Sequence, residues 1–283
     1  MSVIAMSGPE GHQIPHASAR ARNTPQVQTA SEPLIVLKDV NVTLAERLIL
    51  SDINLEIRRG EFLCIVGGSG CGKTTLLRAV AGLVQPSSGT VLVDGAPVLE
   101  PRRDVAVVFQ DYGKALLPWR TAAANVELAL EANGTPKRER GDIIEDLLAK
   151  VGLKGQGAKF PSQLSGGMQQ RLQIARCLAQ APSMLLMDEP FGALDAMTRQ
   201  GLQDEILSLV ANSGTTVFFV THDLEEAVYL GDRVVGLMPN PGRVGIAVDV
   251  DLPRPRDQLT TREDPDFLHL RRVLFDFIKE TEA

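Results

Sequence analysis

The sequence predicts an α/β fold: a mostly parallel sheet with antiparallel β elements and an inserted α-helical subdomain. Three observations carry this. FLCIV (62–66), VAVVF (105–109), MLLM (184–187) and TVFFV (216–220) are short, uninterrupted apolar runs, the mark of strands buried on both faces. Helical stretches lie between them, as the crossovers of a parallel sheet require. The segment from Asp111 to Pro182 has a different, helical texture.

Taken in order, residues 1–33 are rich in Ala, Ser, Pro, Gln and His with no sustained period, and read as a disordered tail. His12 and His16 could form a weak metal site there; a solvated tail is the preferred reading. LIVLKDVNVTL and INLEIRRGE are strand-like. Within the helical stretch (about 111–181), IIEDLLAKVGL sets Ile143, Ile144, Leu147, Leu148 and Val151 on one stripe, and MQQRLQIARCLAQA continues the helical character. Near the C-terminus Val244, Ile246, Val248 and Val250 alternate as on a half-buried strand. Phe267, Leu270, Val273, Leu274, Phe277 and Ile278 then share one face of a terminal helix, which is expected to pack on its own domain rather than on a partner.

The chain has 283 residues and 44% apolar content, enough for a sizeable core. A net charge of −6 argues against a role in holding nucleic acid. Cys64, Cys71 and Cys177 are odd in number and form no CxxC pair, which suits free thiols in a reducing cytosol. No apolar run approaches the ~18–20 residues that span a bilayer, and the N-terminus has no secretory pattern. A role at a membrane would therefore need something else to bring this chain there.

GGSGCGKT (67–74) fits G-x-x-x-x-G-K-[ST] and stands between a buried strand and a helix carrying Leu76, Leu77 and Val80. Gly67, Gly68, Ser69, Gly70, Cys71 and Gly72 let the backbone curl with its N–H groups inward, a cradle for phosphate. Lys73 adds a positive charge for the β- and γ-phosphates, and the Thr74 hydroxyl is suited to Mg²⁺. Thr75 completes the candidate set, although its side chain is expected to face the helix or the core. Cys71 is either a thiol that bound nucleotide shields or inert filler.

Two carboxylates end the strand MLLMDEP. In an open α/β sheet, sites form at the carboxyl ends of strands. Asp188 would hold Mg²⁺ through its water shell, and Glu189 would polarise the attacking water as general base. An Asp-Glu pair alone is ordinary; a phosphate loop in the same chain gives it weight. His222, in THD after the strand 216–220, is the only histidine at a strand end and could contact the γ-phosphate. Gln110 ends the strand 105–109, where a neutral amide can bind Mg²⁺ or water. A second glycine stretch, LSGGMQQR (164–171), runs into a helix and offers another anion grip.

Together these residues resemble an ATP-binding cassette (ABC) ATPase. GGSGCGKT looks like the Walker A motif, Gln110 the Q-loop, LSGGMQQR the signature motif, MLLMDEP Walker B, ALDA (193–196) the D-loop and His222 the switch histidine. The resemblance covers roughly residues 34–240 and implies a P-loop NTPase (RecA-like) core that binds ATP and Mg²⁺, with catalysis from Glu189, His222, Gln110 and Lys73 and metal contacts from Thr74, Gln110 and Asp188. It divides the chain into a tail (1–33), a nucleotide-binding domain (34–247) and a C-terminal extension (248–283). It also implies a head-to-tail homodimer, in which the phosphate loop of one copy and Ser165, Gly166 and Gly167 of the other's signature loop hold one nucleotide, and it adds the D-loop Asp195 to the ATP-binding set. The sequence departs from the family pattern at the adenine. The family stacks the base on an aromatic residue upstream of Walker A, and residues 34–61 contain no Phe, Tyr, Trp or His. Leu44 aligns best, which implies loose base selectivity.

No fused membrane domain, tandem cassette or long coiled coil is evident, which leaves an importer ATPase paired with separate transmembrane permease subunits and, indirectly, an external solute-binding protein. FQDYGKALLPWRTAAANVEL and PGRVGIAVDVDLPRPRD resemble the nitrate/sulfonate/taurine (and bicarbonate or pyrimidine-precursor) importers. This implies a peripheral protein on the cytoplasmic face of the inner membrane, serving a small anion. The alternative class is a non-transport ATPase that remodels a macromolecular complex. Trp119, the only tryptophan, lies between Pro118 and Arg120. It is expected on a docking surface for the permease; burial in the helical subdomain is the other reading.

Overall fold

In the computed structural model, residues 33–282 are described; the N-terminal stretch with His12 and His16 lies outside them. Two antiparallel strands, β1 (Pro33–Leu44) and β2 (Arg47–Arg58), lead to β3 (Phe62–Val66) and the helix α1 (Lys73–Val80). Then come β4 (Ser88–Val93), the two-residue β5 (Ala96–Pro97) and β6 (Val105–Val108). Helices α2 (Tyr112–Ala115), α3 (Ala122–Ala132), α4 (Lys137–Lys150) and α5 (Gly166–Leu178) follow without an intervening strand. The core resumes with β7 (Met184–Asp188), α6 (Ala196–Ser213), β8 (Thr216–Val220), α7 (Leu224–Leu230), β9 (Arg233–Met238) and β10 (Arg243–Asp249). The short α8 (Thr260–Glu263) and the long α9 (Pro265–Glu282) close the described chain.

The six-stranded sheet runs β10-β9-β3-β8-β7-β6, parallel except for β10 against β9. A second, antiparallel sheet runs β2-β1-β4-β5. Every residue of β3, β7 and β8 is buried. Their alternate side chains enter two cores, as the period of a strand dictates. Phe62, Cys64, Val66, Leu185, Met187, Val217 and Phe219 face the helices. Leu63, Ile65, Met184, Leu186, Phe218 and Val220 join the core shared with α1 and the antiparallel sheet.

VAVVF departs from the expectation. It forms the edge of the sheet, and Val105 and Val107 are only half-buried because, among the described residues, one flank has no neighbouring strand. The predicted helical stripe holds: Ile144, Leu147, Leu148 and Val151 enter the helix-side core, with Ile143 against it. In β10, Val244, Ile246 and Val248 alternate with exposed residues as read from the sequence.

The terminal helix packs on its own domain. Phe267 and Leu274 of α9 are fully buried. Phe277 lies where any side chain on Gly236 or Gly245 would be: a Cβ there would stand 2.5 and 2.6 Å from its ring. Both glycines are therefore needed to seat α9 on the β9–β10 edge.

Candidate functional site

The turn after β3 folds tightly round its own lysine. Gly72, at φ 99°, caps α1 in a left-handed conformation, and a Cβ on it would stand 2.6 Å from Leu50 Cδ2. Only glycine fits both demands. The Lys73 side chain is buried and donates from Nζ to the carbonyls of Gly67 (2.7 Å) and Gly68 (3.0 Å). The ammonium is thus held against the glycine loop.

The carboxyl ends of β6, β7 and β8 deliver the rest. Thr74, on the first turn of α1, donates its hydroxyl to Oδ1 of Asp188 at 3.1 Å. Burial raises the Asp188 carboxyl from its ordinary value, against the bond from Thr74. Gln110 Nε2 donates to Oε2 of Glu189 at 3.2 Å, and His222 Nδ1 lies 3.3 Å from the same oxygen. Glu189 has a left-handed backbone, φ 47°, a conformation that non-glycine residues adopt at a cost and that concentrates at functional sites. Its N–H donates to Val220 O (2.9 Å), and its carbonyl accepts from Gln170 Nε2 (3.4 Å).

An open cavity of about 600 Å³ joins these groups, lined by Ile49, Ser69, Gly70, Gly72, Lys73, Thr74, Thr75, Gln110, Glu189 and His222. Thr75 corrects the sequence reading: it is half-exposed and lines the cavity instead of facing the core, because the core face of α1 is already filled by Leu76, Leu77 and Val80. Gly67 and Gly68 face the other side of the loop, where they line a second cavity with His222 and α9. Cys71 is buried beneath the loop, which favours packing over a reagent-accessible thiol. The cavity suits a polyphosphate: an ammonium and backbone N–H groups for the anion, oxygen ligands at its rim, and a carboxylate over the space a terminal phosphate would reach.

The second glycine stretch does not join this cavity. Ser165 caps α5, its hydroxyl accepting from the Met168 N–H at 3.3 Å. Gly166 and Gly167 open the helix; a Cβ on Gly167 would stand 3.0 Å from Leu194 Cδ2 and 3.2 Å from Ala193 O, so the helix start packs on the D-loop. Asp195 caps α6 in the same way, accepting from Thr198 N–H. Gln170 bridges the two regions, accepting from Ala193 N–H while donating to Glu189 O. Sequence reasoning did not single out Gln170 or Ile49, for neither role is written in a residue type or a spacing.

A buried parallel sheet, a glycine loop wrapped round a lysine, and two carboxylates at the end of β7 define a P-loop nucleotide hydrolase. Comparison with known proteins makes this particular. The model of the ABC transporter family matches residues 50–192. An uncharacterized ABC transporter ATP-binding protein of Methanocaldococcus jannaschii is 52% identical, over 82% of this chain and 84% of that protein. The aliphatic sulfonates import ATP-binding protein SsuB 2 of Burkholderia cenocepacia is 48% identical over 86% and 87%. The nitrate import ATP-binding protein NrtD of Synechococcus elongatus is 44% identical over 81% and 84%. Among solved structures, an ATP-binding cassette captured as a dimer in a post-hydrolysis state with ADP and Pi superposes with a TM-score of 0.68 at 33% identity, over 76% of this chain and 98% of that one. The chain belongs to the ABC transporter family, and it is an ATP hydrolase of that type.

Proposed function

We propose that the chain is the ATP-hydrolysing subunit of an importer for a small anion, working as a head-to-tail pair of cassettes beneath separate permease subunits at the cytoplasmic face of the membrane. The observation that carries this reading is the division of the phosphate-binding groups. Lys73, Thr74, Gln110, Glu189 and His222 surround one cavity, whereas Ser165, Gly166, Gly167 and Asp195 lie outside it. A nucleotide held by the first set leaves γ-phosphate oxygens exposed, and a second copy's α5 N-terminus can meet them. The dimeric cassette with ADP and Pi supports the pairing.

In this reading Lys73 and the loop N–H groups hold the phosphates. Glu189 accepts a proton from the attacking water, and His222 and Gln110 keep its carboxylate aimed. The Thr74 hydroxyl, the Asp188 carboxylate and the Gln110 amide oxygen are the hard oxygen donors that Mg²⁺ takes, and the 3.1 Å approach of Thr74 to Asp188 brings two of them together. The metal would neutralise phosphate charge when bound. Base recognition falls to aliphatic groups, with Ile49 in the cavity wall and no aromatic residue in 34–61.

Trp119 supports docking to a permease: it is 71% exposed beside exposed Pro118, the kind of aromatic that anchors interfaces. The relatives named for nitrate and aliphatic sulfonate import support a small anion as cargo. The test is to purify the chain with its permease and an external solute-binding protein, then measure ATP turnover against nitrate, bicarbonate, taurine and alkanesulfonates. Stimulation by one of these anions is expected. Stimulation by none, or by a macromolecular substrate instead, overturns the importer reading.

A further inference from the structure

His222 is mostly exposed, and its described side-chain contact is the one to Glu189. Its position is therefore set by the backbone on either side. Thr221, directly before it, donates its hydroxyl to Oε2 of Glu226 at 2.6 Å. The same hydroxyl oxygen accepts the N–H of Asp223, directly after it, at 3.0 Å. One hydroxyl thus staples both flanks of the histidine, and one carboxylate holds the hydroxyl.

Glu226 is only 5% exposed, and its other oxygen accepts from Gln203 Nε2 of α6 at 3.0 Å. Gln203, also buried, has its carbonyl oxygen facing Gln258 Nε2 (3.3 Å) and Arg262 Nη2 (3.4 Å) of the C-terminal extension. Arg262 is itself fixed, 4.9 Å over the Tyr229 ring and 3.1 Å from Glu225. Polar groups buried this deeply are costly unless satisfied, and each link here satisfies the next. On the opposite side, Leu224 and the α9 residues Phe275, Ile278 and Lys279 wall a cavity of about 310 Å³ shared with His222 and Gly67–Ser69.

We propose that Glu226 is a positioning residue for His222, and that the C-terminal extension clamps it through Gln258, Arg262 and Gln203. Residues past the family-matched segment 50–192 thereby complete the geometry for hydrolysis. The idea rests on the proposed role of His222 in keeping the Glu189 carboxylate aimed. A displacement of about 1 Å at such a group costs on the order of 10²-fold in rate, so a chain of this kind acts on turnover and not on nucleotide binding.

The test uses the full chain and three measurements: steady-state ATPase kinetics, nucleotide affinity, and the imidazole NMR resonance of His222, assigned with His222→Gln. Glu226→Ala is expected to lower kcat by about tenfold or more, leave KM and nucleotide affinity within about twofold, and move the His222 resonance while that of His269 stays. Glu226→Gln, whose amide can accept from Gln203 and donate to Thr221, should recover kcat to within about threefold. Gln203→Ala breaks the chain one link further out. It should give the same split at smaller size, and it keeps the test available if Glu226→Ala does not fold. An unchanged kcat in both alanine variants, or a joint loss of kcat and nucleotide affinity with an unmoved resonance, overturns the proposal. His222→Ala separates the two ideas: if it leaves kcat intact, the reading of the site itself fails; if it abolishes turnover while Glu226→Ala does not, only the clamp fails.

Discussion

The two glycine loops of this chain are built from similar residues and meet different surroundings. Gly67–Thr74 is enclosed by its own chain: Lys73 folds back on the loop carbonyls, and Thr74 reaches Asp188. Gln110 and His222 converge on Glu189 across the cavity. LSGGMQQR has no such enclosure. Its serine hydroxyl caps its own helix, and its Gly167 packs on the D-loop. In the proposed reading the first loop is a site, and the second is a surface prepared for something outside the chain. A motif's residues give its chemistry, and its surroundings decide whether that chemistry is exercised alone or with a partner.

The comparison can be broken most severely at Glu189. Glu189→Gln removes the base while keeping the contacts with Gln110 and His222, and kcat should fall by about 10²–10⁴-fold with nucleotide still bound. Sedimentation of this variant with saturating ATP should show a trapped dimer; a monomer would count against the pairing. Next in size, Ser165→Arg should abolish hydrolysis while leaving nucleotide affinity of the monomer within about twofold, since the signature loop lies outside the cavity. Equal loss of affinity, measured by titration calorimetry, would place the loop's role within one chain.

Trp119→Ala sharpens the contrast from the permease side. It should uncouple transport in reconstituted vesicles and leave soluble ATPase within about twofold, because an exposed side chain carries little folding energy. The smallest effect concerns the base. Without an aromatic platform, worth about 0.5–1.5 kcal/mol, GTP should support hydrolysis within about tenfold of ATP; a strong ATP preference in a competition assay would sink this.

Much of the enclosed site was legible in the sequence, because short-range pattern determines it. FLCIV, MLLM and TVFFV are buried on both faces, and the strand ends place Asp188, Glu189 and His222 beside the loop. The edge position of β6 was not legible, since an apolar run does not reveal how many neighbours a strand has. Thr75 was misread because the face that α1 turns to the core, taken by Leu76, Leu77 and Val80, is set by how the helix docks on the sheets and not by the loop motif. The chain Thr221–Glu226–Gln203–Gln258 was invisible for a similar reason. Its links join residues 5, 23 and 55 positions apart, and no periodicity connects them.

The central claim, that the two loops serve one nucleotide from two copies, is tested most directly by mixing two inactive chains. Glu189→Gln carries a sound signature loop and a dead base; Ser165→Arg carries a sound base and a dead signature loop. In a head-to-tail heterodimer, Glu189 of the second variant meets Ser165 of the first, and one competent site is restored. ATP hydrolysis should reappear when the two are combined before nucleotide is added. If each chain works alone, every site in the mixture is broken and the mixture stays as inactive as its parts.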